Sequence, residues 1–188
     1  PMILRSIQAA RSAGATEVRL IVGHGQNLVR QVVESTGITC FEQSEQLGTA
    51  HAVRCAKVDD LEGEVLIMNG DHPLVEATDL KTLIENFREL KADLAVVTAH
   101  VKKPGELGRI VRQKGELKAI VEARDASADT LAIKEINTGF YVMKAQLLKE
   151  LLPEIQNNNS KGEYYLTDIV TLAQEHGYSV QALATSSH

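Results

Sequence analysis

The sequence predicts an α/β fold with an open, mostly parallel sheet, and three observations predict it. Short apolar runs such as Val65, Leu66, Ile67 and Met68 are almost uninterrupted, as strands are when both faces of a parallel sheet are covered. Between these runs lie segments with apolar residues at helical spacing. The run at 65–68 ends directly in Asn69, Gly70 and Asp71, which sets a carboxylate at the carboxyl end of a strand, the edge where open α/β sheets bind ligands. Gly70 permits close approach of a ligand or another backbone, and Pro73 is expected to stop the strand. One aspartate cannot cage a metal, but it can share a Mg²⁺ with substrate phosphates. A turn whose Asp caps the next segment accounts for the same residues.

Composition narrows the class. With 188 residues, 44% hydrophobic and 24% charged, the chain is globular, of one-domain size, and long enough to bury a core. A net charge of -5 with scattered Lys and Arg gives no footprint for nucleic acid or an anionic membrane. No apolar run approaches the roughly 20 residues of a membrane span and no basic-then-apolar leader is seen, so a cytoplasmic location is expected. Cys40 and Cys55 have no CxxC or zinc spacing and read as two reduced, buried thiols.

In chain order, Leu4, Ile7 and Ala10 share a face of a first helix that Gly14 closes. Val18 to Val22 reads as a buried strand ending in Gly23, His24 and Gly25; His24 lacks a second ligand at metal spacing and is a loop residue. Leu28, Val29, Val32 and Val33 predict a helix, and residues 38–41 a short strand. Gln43 and Gln46 then precede Gly48 and Thr49, with Thr49 as N-cap of a small-residue helix through Ala50, Ala52 and Ala56. Paired amides suit a nucleobase edge, and a Gly at a helix N-terminus lets a ring or phosphate reach backbone amides; on spacing alone a polar loop ending in a Thr N-cap is the commoner reading.

Thr78 or Asp79 is expected to cap a helix with Leu80, Leu83, Ile84 and Phe87 on one face, and Leu94 to Val97 is a buried strand. Residues 109–112 and 117–121 predict a hairpin, a lobe added to the sheet, with Glu122 at its end reading as a solvated edge residue. Glu135 to Met143 is a strong strand in which Gly139 signals a bulge or close approach, beside Asn137 as a hydroxyl reader. Leu147, Leu148, Leu151 and Leu152 form a helix face up to Pro153. Leu166, Ile169, Val170 and Ala173 form another, and Val180 to Ala184 is a last strand.

Six segments, QSEQLGTAHA, MNGDHPL, LGRI, IVEARDA, EINTGF and NNNSKGEYYLTDI, occur in the order and spacing that resemble the bacterial N-acetylglucosamine-1-phosphate uridylyltransferases over nearly the whole chain. The resemblance implies a Rossmann-like nucleotidyltransferase domain that forms UDP-N-acetylglucosamine and pyrophosphate from UTP and N-acetylglucosamine-1-phosphate, a cell-wall precursor step, with Mg²⁺ as cofactor. By match, Gln43, Gln46, Gly48 and Thr49 would face the uracil. Asn69, Gly70 and Asp71 would meet the ribose and Mg²⁺, with Asp71 as catalytic metal ligand. Gly108, Glu122, Asn137, Tyr165 and Thr167 would surround the sugar. Asn69 stands where the family often has Tyr or Ser. The family opens with a strand and a glycine-rich triphosphate loop ahead of the position of Pro1 and Met2, and has a metal-binding Asn beyond the last strand. It also usually carries an acetyltransferase half through which it trimerises. Residues 1–188 are therefore expected to be one domain incomplete at both ends, inactive or nearly so on its own. Another hexose-1-phosphate uridylyl- or thymidylyltransferase, and a non-catalytic sugar-nucleotide-binding module, are the competing readings.

Overall fold

The computed structural model describes residues 1–71 and 76–185; Pro73 lies outside the described residues. The strands are β1 (Arg19–Val22), β2 (Thr39–Glu42), β3 (Glu64–Ile67), β4 (Leu94–His100), β5 (Arg109–Gln113), β6 (Glu116–Val121), β7 (Glu135–Lys144) and β8 (Val180–Ala184). The α-helices are α1 (Met2–Ser12), α2 (Gln26–Val33), α3 (Thr49–Cys55), α4 (Ala77–Glu89), α5 (Ala128–Ala132), α6 (Ala145–Leu151) and α7 (Ile169–Glu175). β1 and β2 pair in parallel as a separate two-stranded sheet. The larger sheet runs β6-β5-β7-β4-β8, with β3 on the other edge of β7. In it β3, β4, β5 and β8 run one way while β7 and β6 run against them. The β5–β6 hairpin joins this sheet through Arg109 opposite Ile136, as an added lobe.

Strand alternation builds a core on both faces. Leu94 and Val96 of β4 with Tyr141 and Met143 of β7 pack towards α3, α6 and α7. Ala95 and Val97 with Phe140 and Val142 pack towards α1 and α4. Leu94, Ala95 and Val96 are wholly buried, as is the leucine face of α6, so these are the elements whose apolar patterns were plainest.

Several expectations need correction. β3 is only half-buried, because it pairs with β7 alone and its other edge, like that of β1, lines a cavity of about 1800 Å³. β1 likewise buries only Val22. The N-cap of α3 is Gly48; the Thr49 hydroxyl instead accepts from the Leu166 N–H at 2.9 Å. The cap of α4 is Glu76, whose N–H donates to Asp79 Oδ2 at 3.3 Å. Cys40 and Cys55 are free but half-buried, not buried.

One polar knot ties β4, β5 and β7 together. Glu135 Oε1 accepts from Thr98 Oγ1 at 2.8 Å and Arg112 Nη2 at 2.7 Å, while Oε2 accepts from Arg112 Nε at 2.7 Å. Arg112 holds the Glu135 carboxyl below its usual range against the opposing effect of burial. A depressed carboxyl stabilises the fold above its unfolded value, and that stability is lost as pH falls through the folded one. Glu135→Gln is expected to cost about 2 kcal/mol in urea denaturation at neutral pH, because Arg112 loses its counter-charge at a site sheltered on one side. The gap should close on acidification.

Candidate active site

The sequence-predicted residues gather on two adjoining cavities. Gln43, Thr49, Asn69, Gly70, Asp71, Gly108, Glu122, Asn137 and Thr167 line the larger. Gln46, Gly48 and Tyr165 line a second, of about 470 Å³, which shares Gln43, Thr49 and Glu122 with the first. The larger runs along the whole of β1 and β3 and reaches Gly23 and Asn69 to Asp71 just past their carboxyl ends, the edge at which an open α/β sheet binds ligands.

At one end, the loop after β2 is locked in place. Gln43 N donates to Val22 O at 2.8 Å, joining the loop to the end of β1. Its Nε2 donates to Gly48 O at 3.0 Å and lies 3.1 Å from His51 Nδ1, so the side-chain nitrogen is engaged and the amide oxygen stays out of that pair. Gln46 is exposed and its Nε2 reaches Gln43 O at 3.2 Å. Gly48 has φ 106° and ψ 177°, and a Cβ there would sit 2.5 Å from Tyr164 O. Leu47 O accepts from Tyr164 N and Ala50 N donates to Tyr164 O, so the first turn of α3 is sewn to residues 164–166. The N-terminus of α3, read from sequence as open to a ring or phosphate, thus has one of its donors already used.

At the other end, the β5–β6 hairpin and the β7 bulge meet. Asn137 N donates to Gly108 O at 2.9 Å, and a Cβ on Gly108 would come within 3.5 Å of Glu122 Oε1. Thr167 Oγ1 donates to that same oxygen at 3.2 Å. Glu122, read from sequence as a solvated edge residue, is half-buried because the segment holding Leu166 and Thr167 packs over it. Burial pushes its carboxyl above the ordinary range, with nearby Asp168 and Asp125 adding to the effect. Asp168 is raised by burial as well. Between Val96 and Thr98 the register of β4 on β7 shifts, and Gly139 turns there at φ 82°. The bulge foreseen from Gly139 is therefore present, and the Asn69 amide rests against it: a Cβ on Gly139 would lie 2.7 Å from Asn69 Nδ2.

Asn69, Gly70 and Asp71 follow β3 at the surface, and Ser6 Oγ of α1 donates to Gly70 O at 3.4 Å. No group of three His, Cys, Asp or Glu side chains is gathered around a metal position among the described residues. That donor set fits an ion bound through one carboxylate, substrate phosphates and water, and not a protein cage. Sequence reasoning missed His51, Tyr141 and Asp168; only a spatial contact marks each of them.

The family described as nucleotidyl transferase matches residues 1–187. The chain belongs to that family. Among its relatives is the bifunctional protein GlmU of Bdellovibrio bacteriovorus, 62% identical over 186 residues, which are 99% of this chain and 41% of the relative. The GlmU of Exiguobacterium sibiricum is 40% identical over 190 residues, covering 100% and 42%. The chain thus spans about two fifths of the length of these curated relatives. Two solved structures share its nucleotidyl transferase fold. A Bacillus anthracis protein assigned as a glucose-1-phosphate thymidylyltransferase, in complex with sucrose, superposes with TM-score 0.76 at 18% identity, over 99% of this chain and 74% of that one. A UDP-glucose pyrophosphorylase complexed with UDP-glucose gives 0.72 at 16%, over 97% and 78%. At such identities the likeness is one of fold. Among the described residues no helix is long and apolar enough to cross a membrane.

Proposed function

We propose that this chain carries the uridylyltransferase centre of a protein that forms UDP-N-acetylglucosamine and pyrophosphate from UTP and N-acetylglucosamine-1-phosphate. The carrying observation is that the residues matched to the two substrates line adjoining cavities joined at Gln43, Thr49 and Glu122. The likeness to GlmU proteins supports the same reading.

Gln43 and Gln46 face the uracil. With Gln43 Nε2 held by Gly48 and His51, its oxygen is the end left to accept from the N3–H of the base. Asn69 and Gly70 meet the ribose, and Gly108, Glu122, Asn137, Tyr165 and Thr167 hold the sugar. An anionic oxygen of the sugar phosphate attacks the α-phosphorus of UTP, a new P–O bond forms, the bond to the bridging oxygen breaks, and pyrophosphate leaves. The nucleophile is already ionised, so the side chains orient and exclude water and no general base is required. Asp71 would hold Mg²⁺ together with the substrate phosphates, and the ion supplies charge neutralisation there when bound.

Titration calorimetry with UDP-N-acetylglucosamine and UDP-glucose tests the assignment. The acetylated ligand is expected to bind at least about tenfold more tightly, because a subsite built of hydrogen-bonding groups rejects a ligand that leaves them unpaired. Equal affinity would move the chain to another hexose-1-phosphate transferase, and no binding of either would remove the reading.

A further inference from the structure

We infer that Tyr141 is a positioning residue of the sugar subsite, fixing the side-chain amide of Asn137 in the orientation a bound sugar meets. The inference rests on the role proposed for Asn137.

Asn137 Nδ2 donates to the Tyr141 hydroxyl at 2.7 Å, and Asn137 Oδ1 accepts from Gly139 N at 3.0 Å. A side-chain amide has two N–H donors and an oxygen with two lone pairs. Each end of Asn137 therefore has one contact made and one remaining. Turning the amide over would set its NH₂ against the Gly139 N–H, donor facing donor, so Gly139 decides which end faces which, while the Tyr141 hydroxyl, able to accept or donate, holds the plane of the amide. The two contacts together hold one orientation. Tyr141 is 3% exposed and Asn137 9%, so water is poorly placed to substitute for the phenol.

The backbone explains why these residues meet. In a regular strand, residues four apart are separated by roughly 13 Å, at about 3.3 Å per residue. The pleat already puts both on one face; the register shift sets Asn137 opposite Thr98 and Tyr141 opposite Val96, so four steps along β7 span two along β4, with Gly139 at φ 82° between them. Asn137 is also tied through its backbone N–H to Gly108 O, beside the Glu122 and Thr167 pair. Burial, with Glu122 and Asp168 nearby, pushes the Tyr141 phenol far above its ordinary pKa, so it remains a neutral hydroxyl. A phenylalanine would fill the same space and leave Asn137 Nδ2 without its partner.

The test is a cycle of Tyr141→Phe, Asn137→Ala and the double variant. Affinity is measured for UDP-N-acetylglucosamine and for UMP, which lacks the sugar and reports that each variant is folded. Tyr141→Phe is expected to weaken the sugar nucleotide roughly tenfold, leave UMP unchanged, and add nothing in the Asn137→Ala background. If Asn137→Ala weakens the sugar nucleotide while Tyr141→Phe does not, or if the two losses add, the positioning role is overturned. If Asn137→Ala itself changes nothing, the sugar-site reading falls and takes this inference with it.

Discussion

Gly48→Ala is expected to destabilise the protein by about 3–5 kcal/mol in urea denaturation and to abolish binding of UDP-N-acetylglucosamine. Two independent costs meet at this methyl. The backbone at φ 106° and ψ 177° lies in a region essentially reserved for glycine. The added Cβ would also sit 2.5 Å from Tyr164 O and 2.8 Å from Tyr164 N, backbone atoms that cannot swing aside as a side-chain tip would. Relief requires the 47–50 turn to part from residues 164–166, which breaks the Leu47–Tyr164, Ala50–Tyr164 and Thr49–Leu166 hydrogen bonds. Those bonds set Gln43, Gln46 and Thr49 on one wall and Tyr165 and Thr167 on the other. Gly37→Ala separates the two costs, because Gly37 has φ 67° and nothing within 4 Å of its added Cβ. It should lose only the strain, about 1–2 kcal/mol. Equal losses in the two variants would show that the contact with Tyr164 is not what demands glycine at 48.

The contrast between these glycines bears on how much of the molecule was legible in the sequence. Periodicity announced α4, β4 and α6, because each turns a face of mostly buried apolar residues to the core and local pattern alone decides them. Gly139 announced a bulge or a close approach, and the structure has both there. α5 passed unseen: five residues held by a Ser127 cap, with Thr130 N donating to Ser127 Oγ, carry too little pattern. The half-exposure of β3 was hidden because an apolar run reads the same whether its edge is paired or lines a cavity. In the candidate site, local motifs named the residues that line the cavities, whereas the contacts that support them carry no local signal. Thr49 looked like a cap because capping is a local event, yet its hydroxyl serves a backbone group 117 positions away. Tyr141 carried no signal of its own, because nothing short of the folded bulge sets its hydroxyl against Asn137.

Glu122→Gln is expected to separate function from stability in opposite directions. Burial, then Asp168 and Asp125, raise the Glu122 carboxyl, so the fold disfavours its charged form. Between the unfolded and the raised folded value the native state holds the extra proton, and stability therefore falls as pH rises through that window, from the ordinary carboxylate range upward. Gln keeps the shape and an oxygen for the Thr167 hydroxyl but carries no charge. The variant should melt at or above the wild-type temperature at alkaline pH, and the difference should shrink as acidification protonates the wild-type carboxyl. Affinity for UDP-N-acetylglucosamine should drop roughly tenfold to a hundredfold, because a charged acceptor binds a sugar hydroxyl more strongly than a neutral amide does. Calorimetry on both proteins across that pH window, with UMP as control, reads the two effects together. A variant that binds the sugar nucleotide as tightly as wild type would show that the charge is not used on the ligand. The burial of Glu122 under Thr167 would then have to be explained by packing between the hairpin and residues 166–168 alone.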